Sequence, residues 1–326
     1  MAVNRNNPDI WKADIAKSVD RYNKWFMEFA PKAFRESRLN TVKRVEQALK
    51  ESGNLSVVSP TLLERYPGIL PILRMSTCPP IARDRLISLA SVSRSLVENM
   101  ESLETPRLPP KMAREKLEQE LSSICIVIQK MVDHDIFVWL DRSNPATDDE
   151  VSRALTIVAD RLNGVIYNPK IRSAQEERQL QEIDGWLQSH NYRQVDGVKF
   201  NEMDTGTYSY RTNIPVSPSD DDQSAKANKK VNNIPVDVVI MPLTASRGEL
   251  PFLIEAKSAG DFTNVNKRRK EEAQKMTQLR GTFGNDVHFV LFLCGYFDTG
   301  YLGYEAAEGI DWVWEHRIND LELFGL

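Results

Sequence analysis

The sequence predicts two parts: an α-helical N-terminal region over residues 1–165 and an α/β core over residues 166–326. Two observations separate them. Apolar residues recur at helical spacing through the first half, whereas short apolar runs bounded by turn residues begin only after residue 190. A third observation places the junction. An amphipathic helix, "SAQEERQLQEIDGWLQSHNY", stands immediately before the first strand-like run.

The elements follow in order. Asn7 and Pro8 open a helix carrying Ile10, Ala13, Val19, Tyr22, Trp25 and Phe26 on an apolar stripe. Pro31 is expected to interrupt it, and a second helix is expected from Leu39 to Lys50, closed by Gly53. The proline-rich stretch 59–90 predicts short helices and turns. Helices are expected over 82–100, 111–140 and 147–163, the last with acidic residues at its start that suit the helix dipole. The segment 164–172, "GVIYNPKIR", reads as the boundary. Ser173 and Glu176 then have capping-box spacing, and Leu180, Ile183 and Leu187 mark one face of the helix that they open. The strand-like pieces are "YRQV", "GTYSYRTNIPV", "IPVDVVIMPL", "LPFLIEAKS" and "DVHFVLFLCGYF". Residues 217–233 are polar and read as a loop.

Composition narrows the function. A chain with 41% hydrophobic and 27% charged residues can bury a core, and a net charge of -4 excludes a uniformly basic nucleic-acid binder but not a local basic patch. Cys78, Cys125 and Cys294 form no C-x-x-C pair, and His134, His190, His288 and His316 are scattered. A disulfide framework and a zinc site are therefore not expected, and a reducing cytoplasm fits. No signal-peptide core and no membrane-spanning run are present, so no membrane partner is expected.

Chemistry concentrates in two neighbouring runs. "VDVVIMPL" carries one acid, Asp237, near its start, and "PFLIEAKS" ends with Glu255 and Lys257. Alternation in a strand puts Glu255 and Lys257 on one side. A strand pair that splays at its end would bring Asp237 beside Glu255. Two carboxylates and a lysine suit a hard cation such as Mg2+, which keeps waters and phosphates as its other ligands. The lysine would orient or deprotonate the attacking water, or stabilise the pentavalent transition state. Solvated residues at a strand end account for the same letters, and spacing alone leaves both readings open. Downstream, Lys267, Arg268, Arg269 and Lys270 open a helix for which Asn264 or Asn266 is a cap. Such a start suits a phosphate backbone. A solvated helix balanced by Glu271 and Glu272 is the plainer reading.

Other residues carry less. Trp312 and Trp314 alternate and read as packing rather than base stacking. Arg74, Arg83 and Arg85 reach guanine edges or form salt bridges equally well. Lys226, Lys229 and Lys230 belong to the polar loop. His134 reads as structural, and Cys294 as buried and inert.

The letters Pro235-Val236-Asp237 and Glu255-Ala256-Lys257, with the order helix, strand, strand, strand, helix, strand, resemble the PD-(D/E)xK nuclease superfamily. Val236 splits the proline-aspartate pair of that pattern. The phrases "KSAGDFTNVNKRRKEEAQK" and "NPDIWKADIAKSVDRYNKWFMEFAPKAF" are similar to type II restriction endonucleases of the XamI group, and the similarity covers nearly the whole chain. The resemblance implies a restriction-endonuclease-like core, a mixed central sheet flanked by helices. It implies Mg2+-dependent cleavage of double-stranded DNA at a palindrome, GTCGAC for this group, leaving 5′-phosphate and 3′-hydroxyl ends. Asp237 and Glu255 would hold the metal, Lys257 would act on the water or the transition state, and Glu176 would assist. It further implies a homodimer in a prokaryotic cytoplasm and a cognate DNA methyltransferase that protects the host. A structure-specific or repair nuclease on the same core, and a DNA-binding protein without catalysis, are the alternatives.

Overall fold

The computed structural model describes residues 2–217, 232–246, 248–260 and 265–326, excepting the side chains of 265–268. The chain divides into two compact units, one of residues 30–171 and one of residues 1–29 with 172–326. The division differs from the expected one at both ends. Its second boundary falls a few residues later, and the first 29 residues belong with the sheet. The reason is visible in their bonds. Val3 N and Asn4 N donate to the Asp311 carboxylate at 2.7 and 3.0 Å. Trp11 meets Trp312 edge-on at 5.3 Å, and the Ser18 hydroxyl accepts from Gly295 N at 2.8 Å.

The unit of residues 30–171 is helical. It holds most of α1 (Pro8–Glu51), then α2 (Pro60–Arg65), α3 (Leu70–Met75), α4 (Arg83–Ala90), α5 (Arg94–Met100), α6 (Arg114–Met131) and the first half of α7 (Asp148–Ser189). Leu63, Leu73, Leu96, Leu121, Phe137 and Val158 form its core. Pro31 and Pro169 sit inside α1 and α7 and end neither helix. Residues 164–172 are helical too, so Ser173 caps nothing. A proline removes one helix hydrogen bond at a cost of about 3 kcal/mol. Helices this long outlast that through tertiary packing, and Tyr167 donates to the Ala30 carbonyl at 2.9 Å beside the first proline. α6 ends nine residues earlier than expected, because Val132 leaves the helix to pair with Thr77. Asp133 N then donates to the Ser76 carbonyl.

The other unit is built on a six-stranded mixed sheet in the order β1-β2-β3-β4-β5-β6. The strands are Arg193–Gln194, Thr207–Val216, Asn232–Met241, Phe252–Ala259, Phe289–Gly295 and Asp311–Trp314. β3 runs antiparallel to its neighbours β2 and β4, while β4, β5 and β6 run parallel, as does β1 with β2. The mixed α/β class is thus as expected. The expected loop 217–233 lies mostly outside the described residues, and its last two residues already belong to β3. Besides the first part of α1 and the second half of α7, this unit holds α8 (Val265–Phe283) and α9 (Thr299–Ala307). One apolar layer contains Leu253, Leu291, Leu293, Met276 and Leu279; the other contains Ile183, Leu187, Ile254 and Phe292. Trp312 and Trp314 both pack, fully buried, into the first layer.

The β2–β3 ribbon changes face at its middle. Tyr208, Val238 and Ile240 belong to one layer, whereas Ile214, Val216, Ile234 and Val236 belong to the other. Arg211, at the change, has a φ of 49°. A non-glycine residue there costs about 1–2 kcal/mol and breaks the alternation of a strand. The residue that stands opposite Arg211 in the register, between the pairs Tyr210–Val238 and Thr212–Val236, is Asp237.

Candidate active site

β3 and β4 pair through Val238–Ile254, Val239–Leu253 and Ile240–Phe252, and the pairing stops there. One further step would set Asp237 against Glu255. Instead the strands part, and the Ala256 N–H donates to Asp237 Oδ2 at 2.8 Å. The side chain thus replaces a ladder bond. This splay brings the two carboxylates into one electrostatic site. Burial pushes the Asp237 carboxyl up to about 6, and the charge on Glu255 adds to that.

Glu255 is buried, and its Oε1 accepts from two ammonium groups, Lys257 Nζ at 2.8 Å and Lys275 Nζ at 2.6 Å. Lys275 also donates to the Pro235 carbonyl at 3.1 Å. Lys257 lies 3.6 Å from a further acid, Glu272 Oε1. The charges therefore form a row: Lys275, Glu255, Lys257, Glu272. Burial opposes the charge on Lys257, but Glu255 and Glu272 outweigh it and raise the pKa. Lys257 is a held ammonium ion.

The donor set fits a hard divalent cation. Glu255 Oε2 is buried and has no hydrogen-bond partner, an expensive state for a carboxylate oxygen. Asp237 and Glu255 repel each other when both are ionised, and a cation would relieve both conditions. Among the described residues no group of three or more His, Cys, Asp and Glu side chains could hold a metal. Two carboxylates are what Mg2+ commonly takes from a protein.

The other expected site residues fall elsewhere or beyond view. Glu176, on α7, is partly exposed and pairs with Arg211 at 3.0 Å. Asn264 and the side chains of Lys267 and Arg268 lie outside the described residues. Arg269 rests over the Tyr304 ring at 5.0 Å, and Lys270 is exposed. Arg74 is internal and paired with Glu101 at 2.5 Å. The Cys294 thiol is buried and pushed up to about 12, by burial first and by Glu315 next, so it is inert.

Two residues of this row, Glu272 and Lys275, were not singled out by the sequence. They stand three apart on α8 and so share a helix face. That spacing was the available signal, but beside a run of basic residues it read as solvated charge.

The match to known proteins follows this geometry. Residues 53–314 match the family model of the XamI restriction endonuclease. The chain belongs to the XamI restriction endonuclease family. It is 47% identical to the type II restriction enzyme SalI of Streptomyces albus G, over 99% of each chain. A solved structure, protein VC1899 from Vibrio cholerae, aligns over 86% of this chain and 55% of its own at 10% identity, with a TM-score of only 0.27. As a XamI-family member the protein is a type II restriction endonuclease, a site-specific deoxyribonuclease. Among the described residues of this endonuclease, no helix is long and apolar enough to cross a membrane.

Proposed function

We propose that this endonuclease cuts both strands of duplex DNA at a short palindrome, GTCGAC, by Mg2+-assisted phosphodiester hydrolysis at Asp237, Glu255 and Lys257. The observation that carries this reading is the Glu255 carboxylate, buried with one oxygen shared by two lysines and the other unpartnered. Asp237 and Glu255 hold the cation, which when bound supplies charge neutralisation at the phosphate and a more acidic water. Lys257, kept charged by its two acids, orients the attacking water and faces the charge that develops on the phosphoryl oxygens. Glu176 assists through Arg211, whose strand position stands opposite Asp237.

Lys267, Arg268, Arg269, Lys270 and Asn264 position the DNA backbone. Residues 1–165 serve DNA binding, dimerisation or both. Symmetric cutting of a palindrome calls for a two-fold homodimer. The enzyme works in a prokaryotic cytoplasm beside a methyltransferase that protects the host's own sites.

Purified protein is incubated with unmethylated phage DNA, with Mg2+ or with EDTA, and the ends are mapped. Discrete Mg2+-dependent fragments ending at one palindrome are expected. Cutting confined to branched or damaged DNA would instead make it a structure-specific nuclease. A folded protein that binds DNA but does not cut it under any divalent metal would end the enzymatic reading of these residues.

A further inference from the structure

We propose that Glu272 is the positioning residue of Lys257, the second acid that keeps the ammonium group in place when Glu255 takes a cation. This rests on the role proposed for Lys257. Glu272 is 1% exposed, and its Oε2 accepts from the Tyr301 hydroxyl at 2.8 Å. Its other oxygen lies 3.6 Å from Lys257 Nζ. Glu305, on α9, is completely buried beside it. Burial and the charge of Glu272 push Glu305 up to about 9, so at neutral pH it is a neutral acid and adds no second negative charge.

A buried carboxylate costs several kcal/mol unless charge and hydrogen bonds compensate it. Here Tyr301 and Lys257 compensate it, and α8 and α9 both supply residues to the arrangement. Lys257 has a flexible four-carbon stem and two acids within reach. It is closer to Glu255, at 2.8 Å, than to Glu272, at 3.6 Å. A cation on the Glu255 carboxylate would add positive charge beside Lys257 and loosen the hold of that carboxylate on the ammonium group. Glu272 is the partner to which the displaced ammonium remains bound, so it neither swings into solvent nor blocks the cation.

The test uses full-length Glu272→Gln, which keeps shape and an acceptor for Tyr301 but removes the charge. Single-turnover cleavage is expected to slow about ten- to a hundredfold. DNA affinity in Ca2+ and the melting temperature should stay near wild type. Calorimetric titration of the DNA-bound protein with Mn2+ should show severalfold weaker binding, because Lys257 then has only Glu255. A wild-type rate and Mn2+ affinity would overturn the proposal, as would a slowed rate matched by equal loss of DNA affinity or of folding. If Glu272→Gln does not fold, Tyr301→Phe decides. It removes only the hydroxyl that holds Glu272, and a wild-type rate in that variant would equally overturn the proposal. Lys257→Ala separates the two claims: full cleavage there sinks the role of Lys257 itself, whatever Glu272 does.

Discussion

Each unit of this molecule buries charge, and the two do it differently. In the helical unit, Arg74 and Glu101 form a two-pronged pair, Nε to Oε1 at 2.5 Å and Nη2 to Oε2 at 2.8 Å. Arg74 spends another donor on the Ile81 carbonyl. Both carboxylate oxygens are occupied and the fork matches them in geometry. In the sheet unit, two ammonium groups crowd one oxygen of Glu255 while the other has no hydrogen bond. Asp237 nearby is held well above the usual aspartate range. The first arrangement is complete as it stands. The second leaves one buried carboxylate oxygen without a hydrogen bond, the donor chemistry that the proposed cation would use. Burial of charge alone therefore does not single out a site; a buried carboxylate left partly unsatisfied beside a second acid makes Glu255 the candidate.

Breaking the complete pair should have the largest effect on stability and none on chemistry. Glu101→Ala leaves an uncompensated buried guanidinium and is expected to cost about 3–5 kcal/mol. Urea unfolding measures it. The cleavage rate per folded molecule should be unchanged, and a catalytic loss without destabilisation would erase the contrast drawn above.

Asp237→Asn should do the reverse. The folded pKa of Asp237 is raised from 3.8 to about 6, so the folded state binds the extra proton. Its contribution to stability is fully present below the unfolded value and is lost as the pH rises through the folded one. In EDTA the wild type should therefore lose stability across that window, and Asp237→Asn should lose less. At neutral pH the variant should melt a few degrees higher while cleavage falls by about a thousandfold. A variant that melts lower at neutral pH would mean that the carboxylate is structurally satisfied.

The smallest effect should come from Glu176→Gln. Its partner Arg211 is largely exposed, with 68% side-chain accessibility, and exposed pairs contribute about 0–1 kcal/mol. Stability should hardly change, and cleavage should fall no more than about tenfold if the glutamate only assists. A loss as large as that of Asp237→Asn would place Glu176 among the direct ligands.

Much of the site was legible because strand periodicity is local. "IEAKS" ends an apolar run, and alternation alone puts Glu255 and Lys257 on one side. The splay beside Asp237 was foreseeable from an acid near the start of a neighbouring apolar strand. Pro31 misled the reading of the first helix, since proline is a strong local signal and the packing that overrides it is not local. Residues 1–29 look like every other helical stretch of the first half. Only their bonds to Asp311, Trp312 and Gly295 assign them to the sheet.

By itself the sequence determined the mixed α/β class, five of the strand runs, the acidic and basic residues of β3 and β4, and enough family likeness to name the chemistry. Tertiary structure alone decided which charges on α8 are buried. Glu271 and Glu272 are adjacent and of the same residue type, yet Glu271 is exposed and Glu272 is almost wholly enclosed beside Lys257. The energy of a charge depends on its surroundings as much as on its identity, through desolvation and the effective dielectric. Those surroundings are set by α8, α9 and β4 coming together, and no local pattern of letters records them.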